Sequence, residues 1–383
     1  LDKLLVMNLK TKGLPYNITQ PIVGKVSRDL DASTNDLIYI VKKDIQFTNA
    51  ENNAILISTQ PLEHIDKPPK GVYNIVSLDH LQDGDIVVIN TDGIINTLYR
   101  VNSRHNFLVF TERCNSNCLM CSQPPKDRND IPYLFSLYKK LIPLIPKNCP
   151  ELCLTGGEPT LLGERFFELL SLLNKELPDT DLHCLTNGRV FAWKSFTARL
   201  ETLNMEKIMF GIPLYSDFYQ VHDYIVQAKE AFNQTISGLY HLAEAGQRIE
   251  LRIVLHKQSI PRLTRLARYI YKNLPFVEQV VFMGLEHQGY TPFNIEKLWI
   301  DPHEYIDALS EAVLFLAENG FNVSIYNFQL CLLPNKLWKF TKKSISDWKN
   351  IYLDVCKNCS QKENCGGLFA SAIHKHSDFL KAI

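Results

Sequence analysis

The sequence carries no excess of charge and no long apolar run. Lysine plus arginine and aspartate plus glutamate stand at 41 each in 383 residues, so the formal net charge is zero. No strong overall field would draw such a chain to nucleic acid or to an anionic membrane, and no basic tract stands out in it. No stretch of apolar residues is long enough to span a bilayer. The start, Leu1-Asp2-Lys3-Leu4-Leu5-Val6, lacks a basic region followed by a long apolar core, which predicts no secretory signal and a cytoplasmic chain. What is present is an ordinary globular composition, 45% hydrophobic and 21% charged, in a chain long enough for two or three domains. Ten cysteines stand out. In a cytoplasmic chain they are better explained by metal than by disulfides.

Three of them are closely spaced, in Thr111-Glu112-Arg113-Cys114-Asn115-Ser116-Asn117-Cys118-Leu119-Met120-Cys121. Thiolates at C-x3-C-x2-C spacing can each hold one iron of a [4Fe–4S] cube. No fourth cysteine lies near in sequence, so one iron is left open to a ligand that is not protein. That open corner would make the site an active centre rather than a staple. For the triplet alone, zinc with a borrowed fourth ligand is the alternative.

Residues 1–102 have the pattern of a β-rich domain. Leu37-Ile38-Tyr39-Ile40-Val41, Ala54-Ile55-Leu56-Ile57 and Ile86-Val87-Val88-Ile89 are short β-branched runs, and Asp83-Gly84 and Asp92-Gly93 are turn signals. The expectation is a small antiparallel sheet or barrel, acting as a structural module or holding a partner along a free sheet edge. From residue 103 to 320 strands and helices alternate. Strands are predicted at 107–110, 151–155, 182–185, 208–212, 250–255 and 280–283, with amphipathic helices between them. One helix is read from Ile225, Ala228, Phe232, Ile236, Leu239 and Ala243. Six β/α units in a row predict an α/β fold, a full or partial barrel with helices outside. Asp301-Pro302-His303-Glu304 opens a further helix with a capping box. In such folds the loops after the strands share one face, which carries the site.

The cysteine triplet follows the first of these strands. The second ends in Thr155-Gly156-Gly157-Glu158-Pro159-Thr160. Its glycines let the backbone approach a ligand closely, and Glu158 can accept from an ammonium group. On this pair of motifs the chain resembles the radical SAM superfamily. The resemblance implies a partial (β/α)6 radical SAM barrel in which Cys114, Cys118 and Cys121 bind a [4Fe–4S] cluster whose open iron chelates S-adenosylmethionine. Gly156, Gly157, Glu158 and Pro159 would border the methionine part, with Glu158 near its ammonium group. Asn187, in Leu185-Thr186-Asn187-Gly188, would contact the ribose, and Arg252 is the candidate for the carboxylate. Met120 stands where the superfamily usually has an aromatic residue, and its polarizable sulfur could still pack on adenine. The chemistry then belongs to the cofactor, and no general acid or nucleophile is expected from the chain.

The remaining region, 321–383, holds Cys331, Cys356, Cys359 and Cys365, a complete ligand set. Zinc is one reading. Beside a radical SAM core the preferred reading is one auxiliary [4Fe–4S] cluster, like a shortened form of the auxiliary regions of peptide-modifying radical SAM enzymes. Cys153 and Cys184 are expected to be small buried hydrophobes, and Cys149 carries no clear message. His256, His287 and Tyr215 follow strands and are packing residues or cavity-lining ones.

Phe107 through Pro125, the stretch Ser344 to Asn350, and Gly366-Gly367 are similar to radical SAM maturases of the His-Xaa-Ser system. That likeness implies post-translational modification of a ribosomally made peptide or protein precursor. It also implies a partner radical SAM maturase and an electron donor such as flavodoxin or ferredoxin. The alternatives are a radical SAM enzyme acting on RNA or a small-molecule precursor, and a non-catalytic partner that binds S-adenosylmethionine or a peptide.

Overall fold

The computed structural model describes residues 9–29, 37–41, 55–65 and 68–383. The opening hexapeptide, and Ala54 of the second β-branched run, lie outside the described residues. Strands β1 (Lys10–Lys12), β2 (Leu14–Tyr16), β3 (Ile22–Ser27), β4 (Leu37–Val41), β5 (Ile55–Ser58), β6 (Gly71–Tyr73), β7 (Ile86–Ile89) and β8 (Ile94–Tyr99) form one sheet, in the order β1-β8-β7-β3-β4-β5-β6-β2. The expected antiparallel arrangement is corrected here. β3 to β6 pair in parallel, and only the flanking strands pair antiparallel. The β-branched runs carried the reason: Ile38, Ile40, Leu56, Ile57 and Val72 are all buried, and strands covered on both faces read as continuous apolar runs. The hairpin from β7 to β8 turns at Gly93, whose φ of +78° suits glycine; a Cβ there would lie 2.2 Å from the Gly13 carbonyl oxygen.

The second sheet is parallel throughout. Its elements in chain order are β9 (Phe107–Val109), α1 (Ile131–Leu141), β10 (Glu151–Thr155), α2 (Glu164–Glu176), β11 (Asp181–Leu185), α3 (Lys194–Glu201), β12 (Ile208–Pro213), α4 (Tyr219–Val226), α5 (Ala231–Glu244), β13 (Arg248–Val254), α6 (Leu263–Asn273), β14 (Gln279–Met283), α7 (Ile295–Leu298), α8 (Pro302–Glu318), β15 (Asn322–Tyr326), α9 (Asn335–Trp338) and β16 (Thr341–Lys342). The strands lie side by side in sequence order, with β9 and β16 at the two edges, so the curved sheet is an open, partial barrel. All six expected strands are present, and β15 and β16 extend the sheet beyond residue 320. In β15 the polar Asn322 and Ser324 alternate with Val323 and Ile325, a weaker signal than the apolar runs before it.

Alternation sorts the side chains. Leu152, Leu154, Leu182, Phe210, Ile212, Leu251, Ile253 and Phe282 are buried against the helices. The residues between them, among them Cys153, His183, Gly211, Glu250 and Arg252, face the inside of the curve. A Cβ on Gly211 would lie 2.9 Å from His183 Nε2 and 3.2 Å from Arg252 Cδ.

One expected helix is two. Gln227 and Glu230 take left-handed backbone conformations, with φ of 53° and 58°, and split the 225–243 pattern into α4 and α5. Asp223 stabilises the break: its side chain accepts from Phe232 N at 2.8 Å and its carbonyl from Ala228 N at 3.2 Å. An ended helix has spare carbonyls, and those of α4 hold the cysteine loop.

Candidate functional site

The loop from Thr111 to Cys121 follows β9 at the C-terminal ends of the strands and is held from several sides. Its start is fixed by the turn after β10: Gly157 N donates to Thr111 O at 2.7 Å and Glu158 N to Arg113 O at 2.7 Å. These bonds explain the two glycines. A Cβ on Gly156 would lie 2.3 Å from Thr111 O, and one on Gly157 2.1 Å from Arg113 O. The close approach they permit is to the cysteine loop itself. Asp130 completes the anchor, accepting from Thr111 Oγ1 at 2.6 Å and Glu112 N at 2.7 Å. The middle of the loop hangs from the end of α4, where Asn117 N donates to Val226 O and Leu119 N to Ile225 O. Its end is fixed by Tyr290 N, which donates to Cys121 O at 2.9 Å.

Glu158 joins the loops. It is fully buried, and Oε1 accepts from Thr160 N, Thr160 Oγ1 and Thr186 Oγ1 at 3.1, 2.7 and 2.6 Å. Oε2 accepts from Asn187 N at 2.7 Å, and this oxygen has a second lone pair to offer. Burial pushes the carboxyl above its ordinary range, against the pull of those donors. Pro159, buried beside it, starts a short 3-10 turn. Asn187 Nδ2 donates to Asn115 Oδ1 at 2.5 Å, between Cys114 and Cys118 in sequence, and approaches Cys114 Sγ at 3.9 Å.

The three thiols are half-buried and electrostatically close to one another. Burial, with Glu158 adding to it, pushes Cys114 up to about 11; burial also raises Cys118 and Cys121. As free thiols they hold their protons at neutral pH, so a metal must displace protons to bind. Among the described residues, no three His, Cys, Asp or Glu side chains converge as around a single ion. Three sulfurs on one fixed loop, with no nitrogen or oxygen ligand among them, fit separate irons of an iron–sulfur cube.

Residues 108–270 match the family model of the radical SAM superfamily. The match is confined to that segment, which has the sequence pattern of a radical SAM domain. No curated protein matches the sequence. Among solved structures, native anSMEcpe with bound AdoMet is similar at 16% identity and TM-score 0.50, covering 72% of this chain and 92% of that one. Streptococcus suis SuiB bound to S-adenosylmethionine is similar at 17% identity and TM-score 0.46, covering 57% of this chain and 49% of that one. The same SuiB bound to its precursor peptide SuiA gives 15% identity and 0.45, covering 57% and 48%. The chain thus spans about half the length of SuiB. The likeness to anSMEcpe shows the fold alone, a parallel-stranded α/β sheet.

Near the cysteine loop, Met120 lies in an apolar cluster with Leu119, Tyr215, Ile225, Val226 and Leu298. Tyr215 is buried there, its ring 5.8 Å from His222 and 6.0 Å from His256. Burial holds both histidines down at about 3, with Arg189 adding to the shift of His222, so they are neutral. His256 Nδ1 accepts from Gln258 N and Ser259 N, while Nε2 is buried without a partner. His287 also has a buried, unpartnered Nδ1; burial lowers its pKa, and Lys375 and His376 add to that.

Arg252 lies on the inner face. Its Nη1 is 3.4 Å from Glu250 Oε1, and Nε and Nη2 both reach Met283 Sδ at 3.3 Å. His183 Nε2 lies 3.3 Å from the same Glu250 oxygen, close enough for charge coupling but outside good hydrogen-bond geometry. Burial would raise Glu250, but His183 and Arg252 outweigh it and leave the carboxyl below its ordinary value. Cys153 shares this inner face, near Arg252 and Glu250, rather than packing as a hydrophobe in the helix-facing core. Cys184 and Cys149 are buried in that core.

Sequence reasoning missed Arg189. Its Nη1 donates to Asn115 O and, at 3.1 Å, to Ser116 Oγ, and Nε donates to Gln234 Oε1 at 2.7 Å. It lies two residues after Asn187 in sequence, but no motif marks it.

The second cysteine group comes together in space. Cys331, Cys356, Cys359 and Cys365 line one pocket, with Tyr352, Leu368 and Leu380. Burial raises Cys331, and neighbouring Cys365 and Cys356 add to the shift despite a backbone hydrogen bond. Among the described residues no helix is long and apolar enough to cross a membrane.

Proposed function

We propose that this chain is a radical SAM enzyme that modifies a ribosomally made peptide or protein precursor in the cytoplasm, of the His-Xaa-Ser type. The observation that carries the reading is the joint between the two motifs: main-chain bonds from Gly157 and Glu158 fix the loop that bears Cys114, Cys118 and Cys121. Those three thiolates would hold a [4Fe–4S] cluster with one iron free for S-adenosylmethionine. With both bound, the site supplies a 5′-deoxyadenosyl radical able to take hydrogen from an unactivated C–H bond.

The chain's own residues orient and exclude. Asn187 and Arg189 hold Asn115 and Ser116, and with them the spacing of Cys114 and Cys118. Met120 and Tyr215 form an apolar wall that keeps water from the loop. Glu158, through Oε2, and Arg252, on the inner face, are the groups for the ligand's ammonium and carboxylate; Gly156 and Pro159 shape the turn that presents Glu158. The four C-terminal cysteines around one pocket support an auxiliary [4Fe–4S] cluster, and that feature favours a peptide over RNA or a small molecule. A partner radical SAM maturase and a flavodoxin or ferredoxin as electron donor complete the proposal.

Anaerobic reconstitution tests it. About eight irons per chain are expected for two cubes, with 5′-deoxyadenosine formed from S-adenosylmethionine and dithionite, and a mass shift in a co-expressed precursor. Zinc alone, or no deoxyadenosine from iron-loaded protein, would overturn it.

A further inference from the structure

Two arginines near Arg252 in sequence show how a guanidinium fork is filled in this protein. Arg248, on the same strand, gives Nε and Nη2 to the two oxygens of Glu278 at 2.9 and 2.7 Å. Arg262, just before α6, gives the same pair of atoms to Asp217 at 2.6 and 2.7 Å. That edge of a guanidinium matches a carboxylate, and two parallel charged bonds are among the strongest that side chains make. In Arg252 the same edge meets sulfur: Nε and Nη2 both lie 3.3 Å from Met283 Sδ. A thioether is a weak acceptor. Glu250 does not fill the fork either. Its Oε1 stands 3.4 Å from Nη1, which is not part of that edge, and makes no hydrogen bond.

The edge is reachable and close to the cysteine loop. Arg252 keeps 19% of its side chain exposed, and Met283, the last residue of β14, is half-buried. Leu251 and Ile253, on either side of Arg252, are fully buried against the helices, so alternation turns Arg252 into the curve of the sheet. Tyr215 links the two places. Burial raises its hydroxyl, Cys118 and Cys121 add to the rise, and Arg252 opposes it, so the guanidinium and two of the thiols act on one side chain. The same tyrosine packs in the apolar cluster of Leu119 and Met120.

We propose that the Nε–Nη2 edge of Arg252 is the seat for the carboxylate of S-adenosylmethionine, and that Met283 is its resting occupant, a weak acceptor that the carboxylate displaces. The inference rests on the reading of the chain as a radical SAM enzyme. It adds Met283 as the residue that sets how tightly the carboxylate is held. An oxygen at position 283 would satisfy the fork and compete with the ligand, as Glu278 and Asp217 satisfy their own arginines. A side chain with no acceptor would leave the fork open. Sulfur stands between the two: it orients the guanidinium and gives way to a carboxylate.

Calorimetric titration of the anaerobically reconstituted full chain tests the proposal, with S-adenosylmethionine and its decarboxylated analogue as the two probes. No reductant is present, so nothing is cleaved. The readout is the dissociation constant of the analogue divided by that of S-adenosylmethionine, which isolates the share of affinity owed to the carboxylate. Met283→Leu, of nearly the same volume and without an acceptor, should keep this ratio or raise it by up to about fivefold. Met283→Gln, with a stronger acceptor, should lower it by about two- to tenfold. Met283→Glu should lower it further, towards the value for Arg252→Lys, which has no fork. Any two members of the series with wild-type melting curves suffice. A ratio that stays the same from Leu to Gln to Glu, including one in which both probes weaken in parallel, would overturn the proposal. Binding of S-adenosylmethionine with an unmoved ratio contradicts only the roles given to Arg252 and Met283. Iron-replete wild type that binds neither probe contradicts the radical SAM reading itself.

Discussion

Cys114, Cys118 and Cys121 sit on a loop suspended between strand ends, an interrupted helix and a buried carboxylate, whereas Cys331, Cys356, Cys359 and Cys365 come from 3-10 turns and the loops beside them. Around the second group the regular structure amounts to two paired strands of two residues each, Asn350–Ile351 and Leu368–Phe369. A buried apolar cluster there consists of Ile345, Phe369 and Ala372. Leu119 and Met120 of the first loop are buried in a cluster with Tyr215, Ile225, Val226 and Leu298, a larger one than the second group has beside it. On the proposed reading, protein contacts shape the first group before any metal arrives, whereas a metal bound at the second would add order to a region with little regular structure. The division suits a reactive centre, where geometry must be preset, and an accessory centre, where four ligands impose their own.

Gly157→Ala should break the comparison most severely. Its Cβ would meet Arg113 O at 2.1 Å, a backbone atom that cannot swing aside. The turn would have to leave the cysteine loop, and about 100-fold or greater loss of deoxyadenosine formation is expected, as for other misplacements near 1 Å. Iron analysis should show about four irons lost and about four retained. Retention of wild-type activity would mean that the preset loop is not needed.

Chelation of bound metal sharpens the contrast from the other side. New protease-sensitive sites are expected between residues 343 and 370, with the parallel sheet still protected, and Cys359→Ala should reproduce that pattern in metal-loaded protein. Mass spectrometry of limited digests reads both. Equal resistance with and without metal would place the order of the C-terminal region in the protein alone.

A pH titration of stability probes the first site's surroundings. His222 and His256 are held at about 3 against an ordinary value of 6.5. The folded state disfavours their protonated forms, so their contribution is complete above pH 6.5 and is lost as pH falls from 6.5 towards 3. At pH 5 the loss is about 2 kcal/mol for each histidine. Urea unfolding at pH 7 and pH 5 measures it, and His256→Gln should flatten the slope by one histidine's share.

Much of this was legible in the sequence, and the failures share a cause. Apolar runs located the first six strands of the parallel sheet, and Asp301-Pro302-His303-Glu304 gave its helix start, where His303 N donates to Asp301 Oδ1 and Asp301 N to Glu304 Oε1. Strand direction in the N-terminal sheet was missed because Asp92-Gly93 marks only the antiparallel β7–β8 hairpin, while the continuous apolar runs in the middle are the pattern of parallel strands buried on both faces. The break after α4 was hidden by an unbroken helical period, since two left-handed residues, neither of them glycine, interrupt it. Glu158 could be picked out by its motif, but its donors Thr186 and Asn187 lie 28 and 29 residues away. Arg189 had no motif at all; only the fold brings it to Asn115.

Smaller effects should mark the supports. Arg189→Lys loses the guanidinium fork that grips Asn115, Ser116 and Gln234. About tenfold weaker iron retention at the first site is expected, in the range of other lost ligand-orienting contacts, with the second site unchanged. Asp301→Ala removes the cap of α8, also bonded by Ser377 Oγ at 2.8 Å, and should cost about 1 kcal/mol in urea unfolding.

The most direct test of the account is deoxyadenosine formation by anaerobically reconstituted protein with S-adenosylmethionine and dithionite, in wild type, Cys118→Ala and Cys359→Ala. The account predicts product from wild type, none from Cys118→Ala, and product still formed by Cys359→Ala. Product from Cys118→Ala equal to wild type, or none from iron-replete wild type, would contradict it.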